Sequence, residues 1–220
     1  DVGPVVDDLT LRPGIQLLET TLACDAGAAP RVSFVQSRYV PLGSIASAEG
    51  FWHVPVCVRW AAAGTTHTTC TLLEAATGSV ELEGTTCPDW ILPNADGGSY
   101  VRFTLADAQL AALRAAMSPP APTGRARGRG RAAAAAPVSP LTVRDQITLA
   151  DSVRAGFEAG RISFSAAMEV LAPMANSTER FVATAPIELL TTARDQYLED
   201  THDAAFQAYA HQLYAAQLTR

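Results

Sequence analysis

PDWILPNADGGSYVRFTL, residues 88–105, is the stretch of the chain that is most specific for the fold. Its apolar start around Trp90 indicates a buried segment. The Pro, Asn, Asp and Gly residues of 93–98 supply a turn that adopts positive φ readily. Tyr100 and Arg102 then share one face of a predicted strand, since strand residues two apart point the same way. The stretch predicts a buried segment, a tight turn and a strand in succession.

Short segments with strand character fill the rest of residues 1–105. They are rich in Val, Thr, Leu and aromatic residues, and Gly, Pro, Asn or Asp separate them. The predicted strands are 15–23, 31–39, 52–60, 67–75, 79–83 and 99–105. Because no helical segment intervenes, these strands predict an antiparallel β-sandwich or barrel, closed by a short helix over 106–117.

Residues 141–220 have the periodicity of helices instead. Apolar residues mark four helical stripes: Ile147, Ala150, Val153 and Phe157; Phe164, Met168 and Leu171; Ile187, Leu190 and Tyr197; and Phe206, Tyr209, Leu213 and Tyr214. We expect Gly160 to end the first helix, Asn176 and Glu179 to form a capping box for the third, and Pro186 to kink or restart it. Stripes of this length suit antiparallel helix pairs in a small bundle or solenoid.

The predicted architecture is therefore α+β and multidomain. It comprises an antiparallel β-sandwich over 1–105, a short helix and an Arg/Ala/Pro-rich linker over 106–140, and an all-α antiparallel, HEAT/ARM-like domain over 141–220. The linker contains four closely spaced arginines: Arg125, Arg127, Arg129 and Arg131. They fit either a solvated tether between acidic neighbours or a contact to a polyanion. The tether is favoured because no aromatic residues interleave to stack on bases.

Composition excludes several classes of protein. Hydrophobic residues make up 48% and charged residues 17%, which excludes disorder for most of the chain. The net charge of −6 argues against nucleic acid as a partner. No stretch approaches the roughly 18 apolar residues of a membrane span. All 16 basic residues are arginine, a pattern of GC-rich coding that carries little chemical meaning.

Two of the four cysteines fall opposite each other in a predicted hairpin. If the strands 52–60 and 67–75 turn about the Ala63–Gly64 bond, Cys57 faces Cys70. Directly opposed residues of an antiparallel pair lie about 4.5–5.5 Å apart at Cα, which is within disulfide reach.

Cys24 and Cys87 remain as the second candidate disulfide. One alternative is a zinc site formed by His67 and Cys70 with Cys57 or Cys87, and another is free buried thiols. The zinc site is disfavoured because residues three apart on a strand point to opposite faces, and no C-x-x-C knuckle occurs. Paired cysteines predict a periplasmic or secreted protein, and free cysteines a cytoplasmic one.

No local signature of catalysis is present. The chain contains no HExxH, GxSxG, P-loop or GxGxxG motif. The four histidines are scattered along the chain: His53, His67, His202 and His211. We therefore predict no catalytic, cofactor-binding or metal-binding residue in this chain.

Five residues of the opening stretch occur in the order of a known motif: Trp90, Asn94, Gly98, Tyr100 and Arg102. This order resembles the W…N…GYYRV.Y signature of the gluzincin zinc aminopeptidases, the alanyl aminopeptidase family, with Ser99 in place of the first Tyr and Val101-Arg102 in place of Arg-Val. Residues 13–24, 34–41 and 52–60 look like the strands upstream of that motif in the family. Residues 141–157 look like the start of its C-terminal helical domain.

The resemblance implies a β-sandwich and the beginning of a helical domain, both C-terminal to a zinc peptidase domain. The family's HExxH zinc motif and its GxMEN-type loop have no counterpart here, so zinc is expected only in that missing domain. The implied function is a non-catalytic bridge and wall of the substrate chamber. The implied partners are the N-terminal and peptidase domains and, indirectly, peptide substrates. Because the chain opens DVGPVV without Met, we expect a piece of a longer protein.

A stand-alone binding protein is the alternative, with a disulfide-stapled sandwich tethered to a helical interaction domain. The two hypotheses differ in the surface they require. An aminopeptidase fragment needs an apolar or complementary face on the sandwich that meets a peptidase domain. A binding protein needs a self-contained surface with a discrete pocket.

Overall fold

The computed structural model describes residues 2–117 and 139–219 and shows a mixed α+β protein. The strands are β1 (Gln16–Ala23), β2 (Arg31–Arg38), β3 (Val54–Ala62), β4 (Thr65–Leu73), β5 (Thr77–Glu81), β6 (Trp90–Leu92) and β7 (Val101–Thr104). The α-helices are α1 (Gly3–Leu11), α2 (Asp107–Met117), α3 (Val143–Glu158), α4 (Phe164–Leu171), α5 (Arg180–Ala183), α6 (Ala185–Gln196) and α7 (Asp203–Leu218). Short 3₁₀ segments occupy Ala95–Gly97, Ala172–Asn176 and Asp200–His202. The predicted Arg-rich tether lies outside the described residues.

The strands form two sheets, with orders β5-β2-β1-β7 and β4-β3-β6. The prediction of purely antiparallel pairing is wrong for one pair, because β7 lies parallel to β1, with Gln16 beside Val101 and Glu19 beside Thr104. Parallel neighbours require a long connection between them. Here the chain passes through the entire second sheet between β1 and β7, so it returns in the same direction.

The β3–β4 hairpin has the register predicted from the sequence. Cys57 lies opposite Cys70, and Trp60 lies opposite His67. The turn has positive φ at both Ala63 and Gly64, 49° and 78°. This backbone matches the right-handed twist of the flanking strands.

The N-terminal helix α1 was not predicted: the predicted strands begin at residue 15, and no element was assigned to residues 1–14. Val2, Val5, Val6 and Leu9 do have helical spacing in the sequence, but Val6 and Leu9 remain about half exposed, so the helix buries little apolar surface. A buried carboxylate attaches it to the protein instead. Asp8 Oδ2 accepts a hydrogen bond from the His53 backbone N–H at 2.6 Å, and it lies 2.8 Å from His53 Nδ1. Asp8 Oδ1 pairs with Arg12 Nε at 2.7 Å.

Asp8 makes this attachment dependent on pH. Burial raises the pKa of the carboxyl, but the hydrogen bonds from His53 and the Arg12 charge outweigh burial and hold the pKa below its ordinary value of 3.8. A carboxyl whose pKa is lower in the folded state contributes stability above the unfolded pKa and loses it as pH falls through the folded pKa. We expect Asp8→Asn to be less stable than wild type at neutral pH, with a difference that shrinks below about pH 4.

Urea denaturation at a series of pH values measures this difference in the free energy of unfolding. Asp7→Asn is the matched control, because Asp7 is the exposed neighbour on the same helix. It should change stability little at any pH. A deficit of Asp8→Asn that stays constant down to strongly acidic pH would contradict this role for the carboxylate.

Helices form where the stripes predict them, but several stripe residues are exposed: Ile147, Ile187, Tyr197 and Tyr209. Gly160 follows α3 with φ +67°, and Pro186 lies in the first turn of α6, so it restarts a helix. The capping box predicted from Asn176 and Glu179 is wrong. Pro173 directs the chain into a 3₁₀ segment that ends at Asn176, and Glu179 precedes α5 without a side-chain cap.

One continuous cluster of buried apolar side chains runs from the two sheets into the helices. Helix α2 packs against both β6 and α4, so this part of the predicted 106–140 segment is a packed element. Helix α3 packs against β7 and against the 95–97 turn. The motif stretch 88–105 therefore lies where sheet and helices meet.

Candidate functional site

A buried carboxylate, Asp145, lies at the centre of the junction between the sheets and the helices. Its side chain is fully buried, and it accepts hydrogen bonds from the backbone N–H of Asp96 at 2.8 Å and of Thr142 at 2.9 Å. The Thr142 hydroxyl accepts from the Asp145 N–H at 3.1 Å, which completes a capping box for α3. Arg59 Nε lies 3.0 Å from Asp145 Oδ2 at an angle that makes an ion pair without a hydrogen bond.

The motif asparagine, Asn94, holds the turn that Asp145 binds. Asn94 is buried with φ 62°, and its Nδ2 donates to the carbonyls of Ser99 at 2.8 Å and Val101 at 3.3 Å. Its Oδ1 accepts from the Ser99 N–H at 2.8 Å. Gly97 has φ 62°, and a Cβ there would lie 2.8 Å from Thr148 Oγ1 on α3. Asn94 thus closes the turn, and Gly97 permits the helix to approach it.

The motif arginine, Arg102, joins β7 to α3 through a polar chain. Its guanidinium lies over the Tyr39 ring, 4.2 Å from the ring centroid, and its Nε lies 3.2 Å from Asp151 Oδ2. Asp151 pairs with Arg154 at 2.8 Å, and Arg154 pairs with Glu158 at 3.0 Å. The Tyr39 hydroxyl donates to Glu158 at 2.6 Å. Burial and this hydrogen bond raise the pKa of Tyr39 to about 12, so Tyr39 remains a donor at physiological pH.

The remaining motif residues play different parts. Trp90 is buried in the common core, whereas Tyr100 is 64% exposed and outside the polar chain. Gly98 follows the 3₁₀ segment with an ordinary φ of −67°. The structure therefore brings Asn94 and Arg102 to one junction and leaves Tyr100 at the surface.

Both predicted cysteine pairs are disulfides in the structure, Cys24–Cys87 and Cys57–Cys70. The alternative zinc site is not formed, because its cysteines are oxidised and His67 stacks on Trp60 with ring centroids 4.4 Å apart. In the part of the chain that the structure describes, no group of three His, Cys, Asp or Glu side chains is placed to hold a metal ion. Two disulfides point to an oxidising, periplasmic or secreted setting.

The helices are too short or too polar to cross a membrane. Over the described ranges 2–117 and 139–219, none of them has both the length and the apolar character that a membrane span requires.

An apolar cavity in the helical part was not predicted from the sequence. It has a volume of about 540 Å³ and lies among α3, α4, α6 and α7. Its lining residues are apolar or aromatic: Leu42, Phe157, Gly160, Ile162, Phe164, Leu190, Ala193, Tyr197, Leu198, Phe206 and Tyr209. Most of these residues belong to the predicted apolar stripes of the helices. The sequence alone does not show that their packing leaves a cavity.

A loop from the sheet part reaches one wall of this cavity. The Leu42 N–H donates to the Glu158 carbonyl at 2.9 Å, and the Leu42 side chain lies on Gly160. A Cβ on Gly160 would lie 3.0 Å from Leu42 Cδ1. Gly160 therefore has two roles. Its left-handed backbone ends α3, and its lack of a side chain lets the loop approach closely.

Gly160→Ala tests both effects. We expect it to destabilise the protein by about 1–2 kcal/mol from the left-handed backbone, with only a small further loss from the Leu42 contact, because the exposed Leu42 side chain can shift. Gly84→Ala is the matched control, because Gly84 has φ +83° and open space around its Cβ position. Urea denaturation should show the larger loss for Gly160→Ala. An equal or smaller loss than for Gly84→Ala would contradict the close approach.

Comparison with known proteins gives no match: no family model matches this chain, and neither does any curated protein. The resemblance to the aminopeptidases therefore rests on the motif residues and on the flanking segments 13–24, 34–41, 52–60 and 141–157.

Proposed function

We propose that this chain is the non-catalytic C-terminal portion of a zinc metallo-aminopeptidase. In this proposal the two sheets act as a β-sandwich bridge, and the helices are the first part of a HEAT/ARM-like domain that walls the substrate chamber. Zinc-activated water would cleave the N-terminal peptide bond in a peptidase domain elsewhere in the same protein. The role of the described residues is to hold that wall in place.

The proposal is supported above all by the contacts that the motif residues make. Asn94 closes the turn whose Asp96 N–H is bound by Asp145, and Arg102 pairs with Asp151. Both carboxylates belong to α3, the first helix of the helical part. The motif residues thus fix the position of the helices on the sheets, which is what a bridging module requires.

A strip of exposed apolar side chains beside this junction also supports the proposal. Tyr100 and Ile147 line one shallow cleft, and Ile147 and Phe181 line the neighbouring one. Tyr100, Ile147 and Phe181 are 64%, 38% and 75% exposed. Exposed apolar surface rimmed by polar groups is typical of a protein interface, and it is available here to a peptidase domain.

A second candidate is the stand-alone two-module binding protein, and the apolar cavity favours it. A discrete recess of about 540 Å³ lies within the usual size range of small-molecule sites. In that case no peptidase domain belongs to the protein, and the helical part is the ligand-binding module.

Isolation of the native polypeptide separates the two candidates. We expect antibodies against this chain to capture, from its native host, a larger polypeptide that yields an HExxH-containing peptide on mass mapping and carries stoichiometric zinc. A captured polypeptide without such a peptide and without zinc would overturn the aminopeptidase proposal and favour the binding protein.

A further inference from the structure

We propose that the cavity among α3, α4, α6 and α7 is a binding site for an uncharged apolar small molecule, such as the hydrocarbon chain of an amphiphile. This inference goes beyond the proposed function, because it depends on no other part of the protein. It rests on the walls of the cavity, on the small residues that keep it open and on the chemistry of its lining.

One wall of the cavity, helix α7, is held by contacts outside the cavity. Helix α7 is anchored near its C-terminus, where the Tyr214 hydroxyl donates to the Ala183 carbonyl at 2.9 Å and Gln217 Nε2 donates to the Ala175 carbonyl at 2.9 Å. At its start, Arg194 Nε pairs with Asp203 at 2.5 Å. The α7 wall is therefore fixed at both ends.

Small residues keep the recess from being filled. Ala193 and Gly160 lie on its lining where larger side chains would occupy the volume. Around them, Phe164, Tyr197 and Tyr209 are 38%, 65% and 43% exposed. Aromatic side chains dominate the energetics of binding when they become covered. The cavity thus presents uncovered aromatic surface around a space of about 540 Å³.

The chemistry of the lining determines the class of ligand. No charged side chain lines the recess within the described residues, and its polar side-chain groups are the hydroxyls of Tyr197 and Tyr209. Protein interfaces carry about one hydrogen bond per 100–200 Å², whereas the side chains of this lining offer two hydroxyls. Small-molecule sites are concave and mostly apolar, with a few polar groups. An apolar molecule matches both the shape and the charge of the recess.

Fluorescence titration with N-phenyl-1-naphthylamine, an uncharged apolar probe, tests the site on the full chain. We expect saturable binding of one probe per chain and displacement by dodecanol. Tyr209→Asp places a charge in the wall and should weaken binding about tenfold or more, since burying an unpaired charge is costly. Tyr197→Asp is a second variant, with a smaller expected loss because a charge at this position, where the tyrosine is 65% exposed, stays partly solvated.

Leu218→Asp is the matched control. Leu218 lies on the same helix as Tyr209 and is also exposed, but it does not line this cavity, so binding should remain at the wild-type level. Three results would overturn the proposal. They are the absence of saturable binding to wild type, equal binding by the cavity variants and Leu218→Asp, and a wild-type dimer in sedimentation that Tyr209→Asp abolishes. The last result would assign the recess to a second copy of the chain. The presence of a peptidase domain is tested separately, by mass mapping of the native polypeptide.

Discussion

Replacement of both Cys24 and Cys87 by serine is expected to lower the free energy of unfolding by about 4 kcal/mol. The two cysteines are 63 residues apart in sequence, and their disulfide ties the end of β1 to the segment before β6. In the chain-entropy account, a cross-link stabilises by restricting the unfolded chain, and the effect grows with the length of the closed loop. This disulfide therefore connects the two sheets and closes the longer loop.

The Cys57–Cys70 disulfide is the internal control for this prediction. It closes a separation of only 13 residues within one hairpin, so replacement of both cysteines by serine should cost about 3 kcal/mol. Cys24 and Cys87 are exposed, so serine leaves no buried cavity in the first variant. Urea denaturation of both variants measures the two losses. A larger loss from the hairpin disulfide than from Cys24–Cys87 would contradict the loop-length argument.

Asp145→Ala is expected to destabilise the protein more than any other single substitution at the junction, with a loss of about 3–5 kcal/mol. Removing the carboxylate leaves Arg59 without its buried partner and leaves the Asp96 and Thr142 N–H groups without an acceptor. Arg59 keeps an ion pair with Asp96, but Asp96 is half-exposed and its pairing is weaker in water.

Two controls separate the charge from the hydrogen bonds. Asp145→Asn keeps the size and one acceptor oxygen but removes the charge, so its stability should lie between that of wild type and that of Asp145→Ala. Asp151→Ala removes a carboxylate on the same helix whose side chain is 42% exposed, and it should cost about 1 kcal/mol or less. The free energy of unfolding in urea is the measurement. An Asp145→Ala variant no less stable than Asp151→Ala would contradict the central position of Asp145.

Local patterns determined the parts of the fold that were predicted correctly. Segments rich in Val, Thr, Leu and aromatic residues between turn-forming residues indicated most strands of the two sheets, and the Ala63-Gly64 turn fixed the hairpin register that places Cys57 opposite Cys70. The helical stripes likewise located α3, α4, α6 and α7. In each case the signal lies within a few residues of the structure that it predicts.

The features that were missed depend on distant parts of the chain. Helix α1 is attached through Asp8, a polar contact with no periodic pattern. The parallel β1–β7 pair depends on how the chain returns from the second sheet. The apolar cavity results from the way four helices pack, which no single stripe contains.

The sequence indicated only some of the residues that form the junction. The motif residues Asn94 and Arg102 pointed to the stretch 88–105, but the partner of its turn, Asp145, was not predicted. A signal for it exists, because Thr142 and Asp145 have the S/T-x-x-D/E spacing of a capping box before a helix. The ion pair with Arg59 has no such signal, because it joins residues far apart in sequence.

Hydrolysis of aminoacyl-anilides by the isolated 220-residue chain and by the polypeptide captured from the native host tests the proposed function most directly. We predict zinc-dependent turnover by the native polypeptide and neither zinc binding nor turnover by the isolated chain after extensive purification. Turnover by the isolated chain, or its absence from a zinc-replete native polypeptide, would contradict the proposal that these residues bridge and wall a catalytic domain.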